Sequence, residues 1–386
     1  MKKNIDLSAA LGIPPLLSHT SETIAALLWA REVLQERLAT TYAVKDPKGI
    51  EELKPVKIGG VDQWLHIRGR KRNNPVLLYL HGGPGSPIIG TMDATMRPWE
   101  DYFTIVHWDQ RQSGKSYYPA NDDFEPLSVQ RFVDDTEEII HYLLKELKQD
   151  KLFLLGHSWG SVLGMHMARH WPECLHAYIG VGQIVNVIDA EKLIYRRLLE
   201  HAMAQQHEQA LITRLDRATP FLDADYPQRE KSFVENCVWV RKELSRLAGE
   251  TMVRHLSWDD FSKNVAFEQV ISPHLTLTDI CNSRFGDDNA IFRHPHTFTK
   301  EFMDIDLPND VGSSFEVPIF FFTGAHDWQT PRILSDEWFA QISAPYKELI
   351  HFEESSHGIV NEEPGKVLTT LVNKVAILAD REINDA

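Results

Sequence analysis

Short apolar runs separated by segments of helical period constrain this chain more than any other feature. Val76–Leu80, Phe103–Trp108, Leu152–Leu155 and Ala177–Val181 are apolar at nearly every position. A strand of that kind buries both faces, the pattern of a parallel sheet covered by helices on either side. Between the second and third runs, Ser128–Lys148 puts Phe132, Val133, Ile139, Ile140, Leu143, Leu144 and Leu147 inside a long helix. Ser161–His170 reads as the next helix. Strand, helix and strand in alternation predict a mostly parallel central sheet with crossover helices, an α/β class chain. The pattern returns at Val317–Phe322 and Lys347–Phe352, and a helix over about Pro364–Leu378 follows. Ahead of it, Pro55–Ile58 and Val61–Arg68 form a strand pair about the turn Gly59-Gly60.

The alternation breaks from about Val187 to Thr299, where the sequence is helical, aromatic and charged. A helical block inserted between strands of one sheet reads as a cap on that sheet, not as a tandem domain. The first 54 residues form an extension. Within it, Ser21–Thr40 is expected to be a helix capped by Ser21, with Ile24, Leu27, Leu28, Val33, Leu34 and Leu38 on a broad stripe. Packing on the body of the protein is the expected use of that stripe; a membrane-surface helix or a dimer contact is the alternative. The organisation is therefore 1–54 extension, 55–186 with 300–386 core, and 187–299 helical cap. This division accounts for a length of 386 residues, beyond the ~100–200 usual for one domain.

Composition narrows the partners. The net charge of −15 argues against nucleic acid or an anionic membrane as a partner. Residues 187–299 carry 14 basic and 17 acidic residues, so the acidic excess lies mainly in the core. Three cysteines do not make a disulfide framework, and no run reaches the ~18–20 apolar residues of a membrane span. A soluble cytoplasmic protein is expected. The oligomeric state is left open.

Gly156-His157-Ser158-Trp159-Gly160 follows a buried run and precedes a helix, with Gly164 one turn on. G-x-S-x-G in that setting lifts a serine hydroxyl off the sheet edge on a sharp turn. Such a serine needs a base, and the base needs an orienting carboxylate. With the chain order Ser, Asp, His, the candidates are Ser158, Asp327 in the loop after Val317–Phe322, and His357 in the loop after the final strand. Asp304, Asp306 and Asp310 precede their strand, and His326 and His351 read as structural. His81-Gly82-Gly83-Pro84-Gly85 follows another buried run. The N–H of Gly83 can pair with that of Trp159 as an oxyanion hole. In Trp108-Asp109-Gln110-Arg111-Gln112, Asp109 and Arg111 are expected to form a charge-assisted pair bracing the floor of the site. Gly114-Lys115-Ser116 lacks the full phosphate-loop spacing. There is no H-E-x-x-H and no paired C-x-x-C, so no zinc site is indicated.

Together these residues resemble the proline iminopeptidase family of α/β-hydrolases, through His81-Gly-Gly-Pro-Gly, Trp108-Asp-Gln-Arg, the serine motif, Gly324-x-x-Asp327 and His357-Gly. The resemblance spans roughly Lys54–Val187 and Thr299 onward. It implies an α/β-hydrolase fold and cofactor-free removal of an N-terminal proline from peptides, with cap glutamates binding the substrate's ammonium. The chain departs from the family at Gln112 and His157, where glycine is usual. In the cap, Glu235-Asn236-Cys237 shares only two residues with the family's carboxylate-bearing segment. Trp239 and Glu243 are the candidates for substrate binding, and Trp258, Phe261 and Phe267 either join a pocket or form the cap's own core. An esterase, amidase or lactonase acting on a small acyl substrate is the alternative. A non-catalytic scaffold that binds a ligand or partner is the second.

Overall fold

The structure is a computed structural model that describes residues 21–118, 127–205, 208–218, 229–248, 252–282 and 297–379. Eight strands form one sheet: β1 (Ile50–Ile58), β2 (Val61–Gly69), β3 (Val76–Leu80), β4 (Thr104–Asp109), β5 (Leu152–His157), β6 (Leu175–Val181), β7 (Ile319–Gly324) and β8 (Lys347–Phe352). Their spatial order is β1-β2-β4-β3-β5-β6-β7-β8. β1 pairs antiparallel with β2, and β2 with β4; every later pairing is parallel. The expected α/β sheet is thus present, with every expected strand in it.

The period of two along each strand explains the two apolar layers. In β3, Leu78 and Leu80 join one buried cluster and Leu77 and Tyr79 the other. In β5 the division is Leu152 and Leu154 against Phe153 and Leu155. The helix Val129–Leu147 covers the first layer, with Phe132, Val133, Ile139, Ile140, Leu143 and Leu147 buried as its spacing predicts. The Ser128 side chain accepts from Arg131 N–H to start it, and Lys148 in the left-handed region ends it.

Two boundaries differ from the sequence reading. β1 begins at Ile50, ahead of the expected Pro55. A proline is tolerated there because β1 is an edge strand, and Glu52, Lys54 and Lys57 keep that edge charged. The final helix runs over Pro364–Thr370 and then widens into a π turn at Leu371–Val375.

The segment between β6 and β7 contains only helices among the described residues. Val187–Ala204, Gln209–Ala218 and Arg229–Ala248 pack on one another through Ile194, Leu198, Leu211, Leu215, Val240 and Leu244. Trp239 packs against this cluster beneath the Arg214 guanidinium, 3.9 Å from the ring centroid, and Phe267 is exposed. The N-terminal helix spans Ser21–Tyr42, and its proposed Ser21 cap lies among side chains outside the described set. Leu28, Val33 and Leu34 of its stripe are exposed. The helix instead lies against the inserted helix Trp258–Ile271, and Arg31 and Gln35 donate to the Leu275 and Ser272 carbonyls. Polar contacts to the carbonyls that follow that helix hold it, with Leu27 and Leu38 of the stripe half-buried. No described helix is long and apolar enough to cross a membrane.

Gly164 sits where helix Trp159–His170 crosses β6. A Cβ there would lie 2.2 Å from the buried Tyr178 ring. Gly164→Ala is expected to lower the unfolding free energy by about 1–3 kcal/mol, the usual cost of overpacking. Urea unfolding measures it, and an unchanged midpoint would contradict this packing.

Candidate active site

β5 ends in a turn with no spare room. A Cβ on Gly156 would come within 2.4 Å of the Gly160 carbonyl oxygen, and one on Gly160 within 2.1 Å of the Leu80 carbonyl oxygen. The chain between them reverses through Ser158 at φ 54°, ψ −119°. A non-glycine residue held there costs of order 1–3 kcal/mol and needs its surroundings to hold it. They do so from both sides: Ser158 N–H donates to Val181 O at 2.9 Å, and its carbonyl accepts from Ser161 N–H at 2.8 Å. Trp159 opens the following helix, so its N–H has no intrahelical acceptor and remains available.

The loop after β3 passes directly over this turn. A Cβ on Gly82 would lie 3.1 Å from Ser158 Cβ. Gly83 takes φ 113° and Gly85 φ 86°, and the Gly83–Pro84 bond is cis. His81 beneath the loop is fully buried. Gln110 N–H donates to His81 Nε2 at 3.1 Å, so the ring proton sits on Nδ1 and donates to the Gly82 carbonyl at 2.9 Å. Burial pushes His81 down to about 4, which keeps the ring neutral and this tautomer in place. Gln110 is a hub that sequence reasoning missed. Its Nε2 donates to His81 O at 3.0 Å and its Oε1 accepts from Trp159 Nε1 at 2.9 Å, joining the two loops.

Asp327 and His357 meet as their loop positions predict. His357 Nδ1 donates to Asp327 Oδ2 at 2.8 Å, and both side chains are buried. Asp327 Oδ1 accepts from the Gln329 and Thr330 N–H groups at 2.8 and 2.9 Å, and Thr330 Oγ1 donates to Oδ2 at 2.9 Å. Burial pushes the Asp327 carboxyl up, but His357 and the Thr330 bonds outweigh it and hold the group below its ordinary value. An ionised Asp327 needs the His357 proton on Nδ1, which leaves Nε2 as the free lone pair. Gly182, at φ 56°, forms the floor: a Cβ there would lie 2.9 Å from His357 Cε1 and Nδ1. Neither Thr330 nor Gly182 belongs to a sequence motif.

His157, which takes a usual glycine position, stacks on His357 with ring centroids 4.8 Å apart. Its Nε2 donates to His357 O at 3.1 Å, and burial, with the neighbouring His357 imidazole, pushes it down to about 3. His157 is therefore a neutral clamp on the His357 loop. His351 in β8 meets Thr323 Oγ1 at 2.9 Å, in keeping with a structural role.

The expected Asp109–Arg111 pair does not form. Arg111 turns toward the long helix and makes a two-pronged bond with Asp135, Nε to Oδ2 and Nη2 to Oδ1, both 2.8 Å. Its Nη2 also donates to Gly59 O at 3.1 Å. Asp109 ends β4 facing the opposite way. Its Oδ2 accepts from Lys115 N–H at 2.9 Å, inside a turn where a Cβ on Gly114 would lie 2.2 Å from the same oxygen. Asp135 was not legible as a partner because it lies 24 residues from Arg111 on another element.

The inserted helices reach all these loops. Met252 O accepts from Gly358 N–H at 2.7 Å, beside His357. Arg241 Nε donates to Gln329 Oε1 at 2.7 Å, two residues from Asp327, while its other nitrogens meet Glu191. Lys115 Nζ donates to Asp279 Oδ2 at 2.8 Å. Glu243 is engaged by Arg246 Nε at 2.7 Å, and Trp239 lies in the insertion's own apolar cluster. No described contact joins either one to Ser158, Asp327 or His357.

A strand–serine–helix turn, a carboxylate–imidazole pair at the ends of β7 and β8, and a glycine loop after β3 define a hydrolase of the α/β type. The model of the alpha/beta hydrolase fold family matches residues 75–364, and the chain belongs to that family. The probable aminopeptidase YbaC of Bacillus subtilis (strain 168) is 31% identical over 330 residues, covering 85% of this chain and 97% of that relative. The proline iminopeptidase of Lactobacillus helveticus (strain DPC 4571) is 26% identical over 211 residues, 52% of this chain and 67% of the relative. Among solved structures, a proline iminopeptidase from Mycobacterium smegmatis has a TM-score of 0.55 at 20% identity, covering 87% of this chain and all of the other. VinJ has the same TM-score and identity over 85% of this chain and 99% of its own. At those identities the two structures show a shared fold.

Burial pushes the Asp109 carboxyl up to about 7, from 3.8. The fold favours its protonated form, so this group's contribution is complete below about pH 4 and is lost as pH rises to 7. Asp109→Asn is expected to gain stability relative to wild type across that window. Urea unfolding at a series of pH values measures the difference; a flat difference would contradict it.

Proposed function

We propose that the chain is a serine hydrolase of the proline iminopeptidase type, releasing an N-terminal proline or similar small residue from peptides. The observation that carries this reading is the 2.8 Å His357–Asp327 hydrogen bond together with a glycine-flanked turn that has Ser158 at its apex. His357 Nε2 takes the Ser158 proton as Oγ attacks the substrate carbonyl. The N–H groups of Gly83 and Trp159 hold the oxyanion, each such donor being worth about 3–4 kcal/mol in the transition state. His357 then delivers its proton to the departing amine. Water, activated by the same imidazole, hydrolyses the acyl-enzyme. Asp327, held by Thr330 and two backbone N–H groups, keeps the imidazole in the one useful tautomer.

In this reading the helical segment 187–299 is a cap. Its Met252 and Arg241 contacts to the loops of His357 and Asp327 support that role, because they tie the insertion to the loops that carry the candidate base and acid. The aminopeptidase names of the relatives support the choice of substrate.

Ser158→Ala is expected to reduce kcat by roughly 10⁵–10⁶ with the fold intact, and Asp327→Asn by roughly 10⁴. Steady-state kinetics with circular dichroism as the fold control measures both. An unchanged kcat in Ser158→Ala would end the mechanism. A panel of Pro-, Ala- and N-blocked Pro-arylamides beside short and long acyl esters tests the substrate. Preference for free N-terminal proline is expected; turnover of blocked amides or esters alone would reject aminopeptidase and leave an esterase or amidase.

A further inference from the structure

At the antiparallel end of the sheet, away from the serine turn, three side chains from distant parts of the chain meet. His66 comes from β2, Asp93 from the short helix Asp93–Met96, and His274 from the turn before the inserted helix Leu277–Asn282. His274 Nε2 lies 3.1 Å from Asp93 Oδ2, and His66 Nδ1 lies 3.8 Å from Asp93 Oδ1. One ligand-capable atom from each residue falls within 4.8 Å of the other two. His66 is only 1% exposed, and neither of its ring nitrogens has a hydrogen-bond partner. Asp93 Oδ1 has none either. A buried polar group without a partner costs about 1–3 kcal/mol, so His66 Nδ1 and Asp93 Oδ1, unpartnered and 3.8 Å apart, are expensive unless something joins them.

We propose that His66, Asp93 and His274 bind a zinc ion, with water as the fourth ligand. Two imidazoles and one carboxylate are a donor set for Zn²⁺, whereas Ca²⁺ and Mg²⁺ select oxygen. Zinc bonds of about 2.0–2.1 Å at the tetrahedral angle place ligand atoms roughly 3.3 Å apart. The 3.1 Å His274–Asp93 contact already has that spacing; His66 approaches the other Asp93 oxygen at 3.8 Å and, with the ligand atoms spread over up to 4.8 Å, must move inward for one carboxylate oxygen to serve both imidazoles. The nearby Arg68 does not stand as an unopposed charge, since Glu100 holds it at 2.7 Å and Glu51 pairs with it too. His107 closes the back of the site, its Nε2 on Met96 Sδ at 3.1 Å. With ligands at positions 66, 93 and 274, no local spacing motif announces the site, so the lack of a zinc motif in the sequence has no bearing on it.

The ion fastens the insertion to the core. Gly90 packs on Ser272 so closely that a Cβ on it would lie 2.2 Å from Ser272 Oγ. Lys115 Nζ donates to His274 O at 3.2 Å. Zinc between Asp93 and His274 adds a cross-link at the far end of the loop that carries Gly83. This role does not depend on the identity of the substrate.

The test uses the full chain, stripped with a chelator and titrated with Co²⁺ as a spectroscopic probe, then with Zn²⁺ in competition. One Co²⁺ per chain is expected, with the intense visible bands of tetrahedral coordination, displaced by one Zn²⁺. Zn²⁺ is expected to raise Tm and chelation to lower it. His274→Ala, on the half-buried turn, is expected to weaken binding at least 100-fold, and Asp93→Asn similarly. His255→Ala, an exposed histidine on the insertion, is expected to bind as wild type. Uptake of no metal by the stripped wild type, or equal uptake by His274→Ala, would overturn the proposal.

Discussion

Between Gly160 and the carbonyl of Leu80 there is no room for a side chain, and much of the site follows from that contact. β3 and β5 are neighbours in the sheet, so the turn after β5 must pass the end of β3 at backbone distance. Only glycine at positions 156 and 160 lets the helix start there. The reversal then falls on Ser158, whose positive φ raises its side chain away from the strand. The loop after β3, forced over the same spot, brings Gly82 against Ser158. A close approach of two parallel strands thus sets the glycine loop against the serine turn.

The other half of the arrangement depends on buried polar groups having one possible tautomer. His81, His157 and His357 each have a partner that fixes where the proton sits: Gln110 N–H, the His357 carbonyl, and Asp327. Burial keeps the first two neutral. Of the three, only His357 combines a carboxylate on one nitrogen with a free lone pair on the other. The insertion adds rigidity from outside, because Arg241, Met252 and Asp279 each reach a loop that carries a site residue or its support.

Much of this was legible in the sequence. Apolar runs identified β3 to β7, since a strand buried on both faces leaves a continuous signature, whereas the edge strand β8 is only partly buried. The loops that carry Ser158, Asp327 and His357 followed from chain order and the ends of their strands, which are local properties. What was missed is non-local. The partner of Arg111 is Asp135, on a helix that only the folded sheet brings near. Gln110, Thr330 and Gly182 act by filling space or donating one hydrogen bond, and their residue types carry no pattern. The start of β1 was hidden because Pro55 reads as a break until the strand is known to lie at the sheet edge. Trp239 and Glu243 were chosen by residue type, and their neighbours within the insertion engage both.

The central claim is that Ser158 is the activated nucleophile, and covalent labelling tests it most directly. A fluorophosphonate probe, followed by peptide mass spectrometry, should leave one adduct, on Ser158, with no labelling of the Ser158→Ala variant and slow labelling of His357→Ala. An unlabelled Ser158 in folded protein, or an adduct on another serine alone, would contradict the account.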